Sequence, residues 1–299
     1  MPLNETEQSA LGIFKKNLEV GGNLEVNDET LVTVGINAAL RMGSVMQMAR
    51  EELKRIDVKT KPDGSRVTNI DIHAEEIGRA LIKKSFPQHV IIGEEKGGKV
   101  DPSKYSWAID PIDSTNAFLS HENTSAVSIA LYKGSEVVLG VIYSPFSGEL
   151  YYACNDNQSR LLRQYGFSEE TIGDNLPLNE LTSGNFVNVH PVPQNQPHYN
   201  KLAKARAEGA LHKIIQTGGS PALSLASAAK GHFVYVHEWD QDQPTAEWDL
   251  AAGEKILKNA GGRTTDINGQ EIVNAGYSGL LIAGINNVFH GKILEILRK

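Results

Sequence analysis

The chain has 299 residues and a mass of 32.6 kDa, which fits one large domain or two packed halves. Its 40% hydrophobic and 22% charged residues are ordinary for a globular protein, and a formal net charge of −7 argues against a general nucleic-acid surface. Cys154 is the single cysteine, which excludes an internal disulfide and disfavours a cysteine-built zinc site.

The first part of the chain predicts a lead-in followed by helices and then strands. Residues 1–27 are polar, with glycines at 21–22, and predict a loosely held lead-in. Spaced apolar residues over 28–56 predict a long amphipathic helix, and a second helix is predicted to begin near Asp71 and to end before Pro87. Strands are predicted at 89–93, 105–109, 125–132 and 136–143, and a turn over 133–135 joins the last two as a hairpin.

Residues 155–184 are polar and rich in turn formers, and we predict a boundary there. An N-terminal α+β half would span 28–184 and a C-terminal α/β half 185–299. In the second half, strands are predicted at 186–190, 213–217, 232–237 and 279–283, and helices at 198–208, 221–230, 247–260 and the C-terminus. Because strands and helices interleave throughout, a layered α/β architecture is expected.

The strongest functional signal is the stretch 107–118, Trp-Ala-Ile-Asp-Pro-Ile-Asp-Ser-Thr-Asn-Ala-Phe. Its apolar start predicts the end of a buried strand, and Asp110 and Asp113 follow three residues apart. The next residues are suited to cap a helix: Ser114, Thr115 and Asn116. Carboxylates hold hard cations and the N–H groups of a helix N-terminus receive anions, so this stretch predicts a metal-dependent phosphate site.

Three further segments carry acidic residues in similar contexts. Glu94 and Glu95 follow an apolar run, Asp249 begins a helix rich in small residues, and Asp71 begins another helix. Each acid alone fits a helix cap or a solvated corner, but their shared contexts predict that they converge. Like charges about 4 Å apart repel by about 1 kcal/mol in water and about 4 kcal/mol at an effective dielectric near 20. The carboxylates of four of these residues would therefore need cations if they converge, and two Mg²⁺ ions would balance their charge. The four are Glu94, Asp110, Asp113 and Asp249.

These residues resemble the inositol monophosphatase superfamily of magnesium-dependent, lithium-sensitive phosphatases, which includes inositol polyphosphate 1-phosphatases and 3′(2′),5′-bisphosphate nucleotidases. The stretch 107–118 looks like its first signature, and 248–262, beginning Trp-Asp-Leu-Ala-Ala-Gly, looks like its second. The segments 67–71 and 93–95 are similar to its other landmarks, and all four occur in the family's order over 30–297. The resemblance implies a five-layer αβαβα sugar-phosphatase-like fold with two packed halves, and a homodimer.

The resemblance also implies how metal ions would bind. Glu94, Asp110 and the carbonyl of Ile112 would bind one Mg²⁺, whereas Asp110, Asp113 and Asp249 would bind a second. It leaves room for a third, weaker Mg²⁺ at Glu94.

For catalysis, the resemblance implies that Asp71 and Thr115 orient a metal-bound water, with Glu94 helping. Such a water is a usable nucleophile near neutral pH, and the Thr115 hydroxyl can relay its proton to the Asp71 carboxylate. Lys59 is expected to be a basic loop residue near the site.

Substrate contacts are implied at three places. Gly218-Gly219-Ser220 looks like the family's second substrate loop, and 231–238 looks like its specificity strand, which offers His237 or, with a one-residue shift, Glu238. The remaining expected contacts come from the first two signatures: Asp113, Ser114, Thr115 and Asp249. Ser114 stands where the family usually has glycine, so the phosphate pocket is expected to differ in shape.

We therefore expect a Mg²⁺-dependent phosphomonoesterase that hydrolyses inositol monophosphate. The alternatives are 3′-phosphoadenosine 5′-phosphate, since 244–249 resembles the nucleotidases, and a sugar bisphosphate. A phosphoaspartate mechanism would use Asp-x-Asp spacing, which Asp110 and Asp113 do not have. A non-catalytic regulatory protein on this scaffold would be favoured by the loss of a ligand acid or the base, and none is missing.

The N-terminus has no basic-then-apolar signal pattern, and no run of about 18 apolar residues could span a bilayer. We expect a cytoplasmic location, with no membrane and no nucleic-acid polymer as partner. A small phosphorylated substrate remains compatible with the negative net charge, because a bound divalent cation inverts the local sign.

Overall fold

The computed structural model describes residues 2–17, 20–51, 56–62, 64–163, 171–178, 186–190, 197–272, 275–285 and 287–299. The helices there are α1 (Glu5–Lys15), α2 (Asp28–Glu51), α3 (Asn69–Ser85), α4 (Thr115–Leu119), α5 (Pro197–Ala207), α6 (Pro221–Ala228), α7 (Ala251–Asn259) and α8 (Asn287–Arg298). Across these ranges, no helix has both the length and the apolar character needed to cross a membrane.

The strands follow the predicted order closely. They are β1 (Val58–Thr60), β2 (Arg66–Thr68), β3 (Val90–Gly93), β4 (Tyr105–Asp113), β5 (Ala126–Lys133), β6 (Glu136–Ser144), β7 (Glu149–Cys154), β8 (Arg160–Arg163), β9 (Ile172–Asn175), β10 (Phe186–Val189), β11 (Lys213–Gln216), β12 (Val234–Trp239), β13 (Arg263–Thr265) and β14 (Gly279–Gly284). The predicted hairpin is present as β5 and β6, which pair antiparallel.

Within the described residues, the helices and two large sheets stack in five layers. One sheet has seven strands in the order β3-β4-β5-β6-β7-β8-β9, and the other has five in the order β11-β10-β12-β14-β13. Helices α2 and α3 cover the outer face of the first sheet, α6 and α7 lie between the sheets, and α5 and α8 cover the second. The predicted αβαβα fold is confirmed.

The central strands are apolar on both sides because helices cover both faces of the sheet. Along β4, Trp107 and Ile109 pack towards α2, whereas Ala108 between them packs towards the α6–α7 layer. Small residues let α7 approach closely, since a Cβ at Gly140 in β6 would lie 2.4 Å from the carbonyl oxygen of Ala252. This close packing fixes the start of α7 beside the first sheet.

The prediction of a loosely held lead-in is wrong for the start of the chain. Residues 5–15 form α1, which Asn4 and Glu7 begin with a reciprocal capping box. Glu7 is fully buried, and its two carboxylate oxygens accept hydrogen bonds of 2.8 Å from Nε and Nη2 of Arg160 in β8. Polarity therefore marked a buried ion pair and not a mobile segment.

The segment 155–184 is also more ordered than its turn-rich composition predicts. Strands β8 and β9 lie within it and extend the seven-stranded sheet. The predicted boundary between 184 and 185 lies outside the described residues, so the division into halves at 28–184 and 185–299 stays a prediction.

Candidate active site

Strand β4 carries the first two acids. The predicted strand ended at 109, but β4 runs to Asp113 and contains both Asp110 and Asp113. Its pairing with β5 shifts register between them, so that Asp110 lies opposite Ser128 and Asp113 opposite Ala126. Such a bulge redirects side chains locally. Both carboxylates are consequently buried, at 4% and 7% exposure.

Glu94 reaches the same edge of the sheet from the neighbouring strand. Strands β3 and β4 are parallel, and Gly93 pairs with Ile109. The N–H of Glu94 then donates to the carbonyl oxygen of Ile109 at 3.1 Å. Because the carboxyl ends of parallel strands meet at one edge, Glu94 comes next to Asp110, as the sequence predicted.

Asp249 enters from the turn that precedes α7. The hydroxyls of Ser128 and Tyr132, both on β5, donate to the carbonyl oxygens of Trp248 and Glu247 at 3.0 and 3.1 Å. These two bonds attach the turn to the first sheet. Asp249 is thereby brought towards the acids of β4 although it lies more than a hundred residues later.

Burial and mutual repulsion raise the pKa of the acids. Burial raises the pKa of Asp110 well above its ordinary value, and the charges of Glu94, Asp113 and Asp249 raise it further. Burial raises the pKa of Asp113 to about 7, with a contribution from the charge of Glu94. Burial raises the pKa of Asp249 to about 7, and the charges of Asp113 and Glu94 add to this effect. Asp110, Asp113 and Asp249 are therefore poorly solvated, and each of them lies near enough to another acid of this group to be affected by its charge.

The donor set fits a hard cation such as Mg²⁺, since it consists of carboxylate oxygens and the main-chain carbonyl of Ile112. Among the residues described, however, no three His, Cys, Asp or Glu side chains lie close enough together to hold an ion as they stand. Main-chain N–H groups instead donate hydrogen bonds to carboxylate oxygens of Asp110, Asp113 and Asp249. The N–H of Ile112 donates to Oδ1 of Asp110 at 3.0 Å.

Lys61 is the basic residue that contacts the acids, whereas the sequence pointed to Lys59. Its Nζ donates to Oε1 of Glu94 at 2.7 Å and to Oε1 of Glu95 at 2.8 Å. Burial lowers the pKa of Lys61, but the hydrogen bonds and charges of both glutamates outweigh burial and raise it above its ordinary value. Lys59 is exposed on β1, two residues earlier.

Glu95 is not the solvated corner that its position after a strand suggested. Burial raises the pKa of its carboxyl to about 7, against the effect of the bond from Lys61. Its N–H donates to Oε2 of Glu75 at 2.8 Å, and Glu75, which the sequence reasoning missed, is fully buried on α3. An acid in mid-helix gave no signal in the sequence.

Asp71 is both a helix-capping residue and the partner of Thr115. The N–H of Thr68 donates to its Oδ2 at 2.8 Å, and the Thr68 hydroxyl donates to the same oxygen. The Thr115 hydroxyl donates to Oδ1 at 3.0 Å. Burial raises the pKa of Asp71 to about 6, although these hydrogen bonds oppose the rise. The predicted pair of Asp71 and Thr115 is thus in contact.

Ser114 precedes α4 but does not cap it through its side chain, which differs from expectation. Its backbone is left-handed, with φ 71° and ψ 69°, and the side chain makes no capping hydrogen bond. This conformation costs about 1–2 kcal/mol for residues other than glycine. A glycine would meet this geometry without strain.

The predicted substrate loop adjoins Asp113. Gly219 has φ 102°, and a Cβ there would collide with Thr124, so the loop requires glycine. The Ser220 hydroxyl accepts from the N–H of Leu223 at 2.8 Å, which caps α6, and donates to Oδ2 of Asp113. The N–H of Ala222 donates to the same oxygen at 2.9 Å.

A cavity of about 620 Å³ opens beside this loop. Gly218 and Ser220 line it, together with Lys213, Lys230 and His232. None of the four clustered carboxylates lines it, but Ser220 connects it to Asp113. The sequence analysis had not singled out either lysine.

His237 is not brought into contact with the acids in the described part of the chain. Its ring stacks between those of His190 and Trp239, with centroids 4.0 and 4.7 Å apart, and its Nδ1 lies 3.0 Å from the Tyr235 hydroxyl. Glu238, the alternative with a one-residue shift, has its Oε2 3.3 Å from Nδ1 of His198 on α5. His237 is therefore a histidine packed between aromatic rings, and the structure gives no support to a direct contact with substrate.

Comparison with known proteins identifies the family. The model of the inositol monophosphatase family matches residues 27–299. An inositol-1-monophosphatase from Mesorhizobium japonicum is 30% identical over 278 residues, which cover 90% of this chain and 96% of that protein. The Nus factor SuhB of Salmonella typhimurium is 31% identical over 258 residues, covering 85% and 91%.

A solved structure supports the fold. The IMPase of Thermotoga maritima superposes with a TM-score of 0.71 at 24% identity, covering 91% of this chain and 97% of that one. At this identity the likeness is one of fold. Together with the family match over residues 27–299, it leads to one conclusion: the chain belongs to the inositol monophosphatase family.

Proposed function

We propose that the chain is a Mg²⁺-dependent phosphomonoesterase. The observation that carries this proposal is the cluster of Glu94, Asp110, Asp113 and Asp249 next to the hydrogen bond between Thr115 and Asp71. Buried carboxylates that raise one another's pKa are stabilised by a divalent cation. A hydroxyl bonded to a carboxylate next to them is suited to move a proton.

Five residues would hold two Mg²⁺ ions, with a third, weaker ion at Glu94: Glu94, Asp110, the carbonyl of Ile112, Asp113 and Asp249. Bound there, Mg²⁺ supplies Lewis acidity to a phosphoryl oxygen and makes water more acidic. Lys61 already places a positive charge beside the Glu94 carboxylate.

Asp71 would be the base, acting through Thr115. Its pKa of about 6 leaves the carboxylate mostly ionised at neutral pH, and its Oδ1 accepts the Thr115 proton. The Thr115 oxygen, whose own proton is committed to Asp71, can accept a hydrogen bond from the attacking water. As the water oxygen bonds to phosphorus, its proton passes to Thr115 while the Thr115 proton passes to Asp71. The P–O bond to the alcohol breaks in the same displacement, and the leaving alkoxide takes a proton from solvent water.

Inositol monophosphate is the substrate we propose. It is supported by the name of the Mesorhizobium japonicum relative and by the cavity next to Ser220, which Lys213, Lys230 and His232 also line. Its 620 Å³ lies within the range of about 300–1,000 Å³ usual for small-molecule sites. Ser114, Gly219 and Ser220 would contact the substrate with Asp113, Thr115 and Asp249. A homodimer, which the family resemblance implies, and a cytoplasmic location complete the proposal.

The test is hydrolysis of three esters with and without Mg²⁺: inositol 1-phosphate, 3′-phosphoadenosine 5′-phosphate and fructose 1,6-bisphosphate. We expect the highest kcat/KM for inositol 1-phosphate, complete loss of activity in EDTA and recovery with Mg²⁺. A higher kcat/KM for either other ester would refute the substrate and keep the reaction class. If a folded, Mg²⁺-loaded protein hydrolyses none of them, the alternative of a non-catalytic regulatory protein gains support. The name of one relative, Nus factor SuhB, is the reason to retain this alternative.

A further inference from the structure

A second cavity, of about 380 Å³, lies along α7 and shares no lining residue with the candidate active site. Ala251, Glu254, Lys255 and Lys258 line it, and this spacing places them on one face of the helix. Its volume falls within the range of about 300–1,000 Å³ for small-molecule sites. These residues belong neither to the carboxylate cluster nor to the predicted substrate loop.

Three polar groups that line this cavity lack partners within the described chain. Lys255 is only 8% exposed, yet its ammonium makes no hydrogen bond or ion pair there. Oε1 of Glu254 and Nε of Arg263 are buried and have no hydrogen-bond partner. Buried polar atoms are normally hydrogen-bonded, so the two buried exceptions on Glu254 and Arg263, beside the uncommitted ammonium of Lys255, indicate groups that a bound molecule would satisfy.

The charges around the cavity favour a ligand that carries both signs. Its cationic side chains are Lys255, Lys258 and Arg263, and its acidic ones are Glu136, Asp156, Glu254 and Glu271. A ligand of one sign would meet like charge on some side of this cavity. The unpartnered atoms include donors on Lys255 and Arg263 and an acceptor on Glu254, so the ligand must also both accept and donate.

We propose that this cavity binds a small zwitterion, an amino acid by chemical class. Its carboxylate accepts from Lys255, and its ammonium donates to Glu254, the preceding residue on α7. Arg263 supplies a further donor to the carboxylate.

The state of the two adjacent groups without a ligand agrees with this assignment. Burial raises the pKa of Glu254 to about 8, which the charge of Glu271 reinforces and that of Lys258 opposes. Burial lowers the pKa of Lys255, against the charges of Asp156 and Glu136. A ligand that brings the opposite charge to each group restores its charged form.

The proposal is tested by thermal unfolding of the full chain with each of the twenty common amino acids, followed by calorimetric titration of any that stabilise it. Acetate and methylamine serve as ligands of one sign. At least one amino acid should raise Tm by about 2–4 °C, and neither single-charge compound should match it. The proposal is overturned if no amino acid stabilises the protein, because the cavity then holds solvent only.

Variants distinguish this cavity from binding elsewhere. Lys255→Met should abolish the Tm response, whereas the exposed control Lys204→Met on α5 should keep it. An equal response in Lys255→Met and wild type would overturn the assignment. Should Lys255→Met fail to fold, Glu254→Gln decides, since it keeps the shape and should weaken calorimetric binding at least tenfold. These readouts do not depend on phosphatase activity, so they fail or succeed separately from the proposed function.

Discussion

Replacing Asp113 by asparagine should make the metal-free protein more stable while it destroys activity. Each pKa unit corresponds to about 1.4 kcal/mol, so a rise from 3.8 to about 7 amounts to about 4 kcal/mol between protonation states. Asparagine keeps an oxygen that can accept from Ser220 and Ala222, but it carries no charge to be buried. If half of that energy is recovered, about 2 kcal/mol, Tm rises by about 4–8 °C in EDTA at pH 8.

The pH dependence gives the sign of this effect. Because the folded pKa of Asp113 is raised, its contribution to stability is fully present below 3.8 and is lost as pH rises through about 7. Wild type in EDTA should therefore lose stability between about pH 4 and pH 8, and Asp113→Asn should lose less.

The assay is thermal unfolding across this range, with Mg²⁺-dependent ester hydrolysis measured in parallel. Asp242→Asn is the matched control, since Asp242 is an exposed aspartate in a turn. If the variant is less stable than wild type at pH 8 in EDTA, burial of the Asp113 charge does not destabilise the metal-free protein. If it hydrolyses the ester at the wild-type rate, Asp113 is not a metal ligand.

Three other substitutions probe the site and its support. Thr115→Ala should lower kcat by about 100-fold or more, without changing the Mg²⁺ concentration for half-maximal activity, because it removes the donor to Asp71; a shift in both would make its role structural. Glu7→Gln breaks the buried pair with Arg160 and should cost about 3–5 kcal/mol in chemical denaturation with kcat unchanged; a loss under about 1 kcal/mol would contradict the pairing. Ser114→Gly should raise the free energy of unfolding by up to about 1 kcal/mol, since relief of left-handed strain exceeds the added entropy of glycine, whereas Ser114→Ala should stay close to wild type; equal effects would rule out strain.

The placement of the acids was predictable because each follows an apolar run or begins a helix. Buried strands read as continuous apolar segments, and parallel strands bring their carboxyl ends to one edge. Glu94 after β3 and Asp110 on β4 follow this rule directly. The pairing of Asp71 with Thr115 came instead from the family resemblance, since the residues lie 44 positions apart.

Contacts between distant side chains could not be read from local patterns. Lys59 and Lys61 have similar contexts in sequence. In the folded chain Lys59 is exposed on β1, whereas Lys61 follows the strand and contacts Glu94 and Glu95. Helix α1 was missed because its stabilising partner, Arg160, lies 153 residues from Glu7. His237 was expected to meet substrate, but its ring stacks with those of Trp239, also on β12, and of His190, which follows β10.

The candidate site depends on contact between the first sheet and the helical layer that lies between the two sheets. Asp113 belongs to the first sheet, yet its carboxylate is held by Ser220 and Ala222 of the layer between the sheets. The turn before Asp249 is likewise held by the hydroxyls of Ser128 and Tyr132 on β5. Without this contact, mutual repulsion would separate Asp249 from Asp110 and Asp113, because no local constraint keeps it beside β4. Cation binding and packing of α6 and α7 on the first sheet should therefore stabilise each other, which links catalytic competence to the integrity of the middle layer.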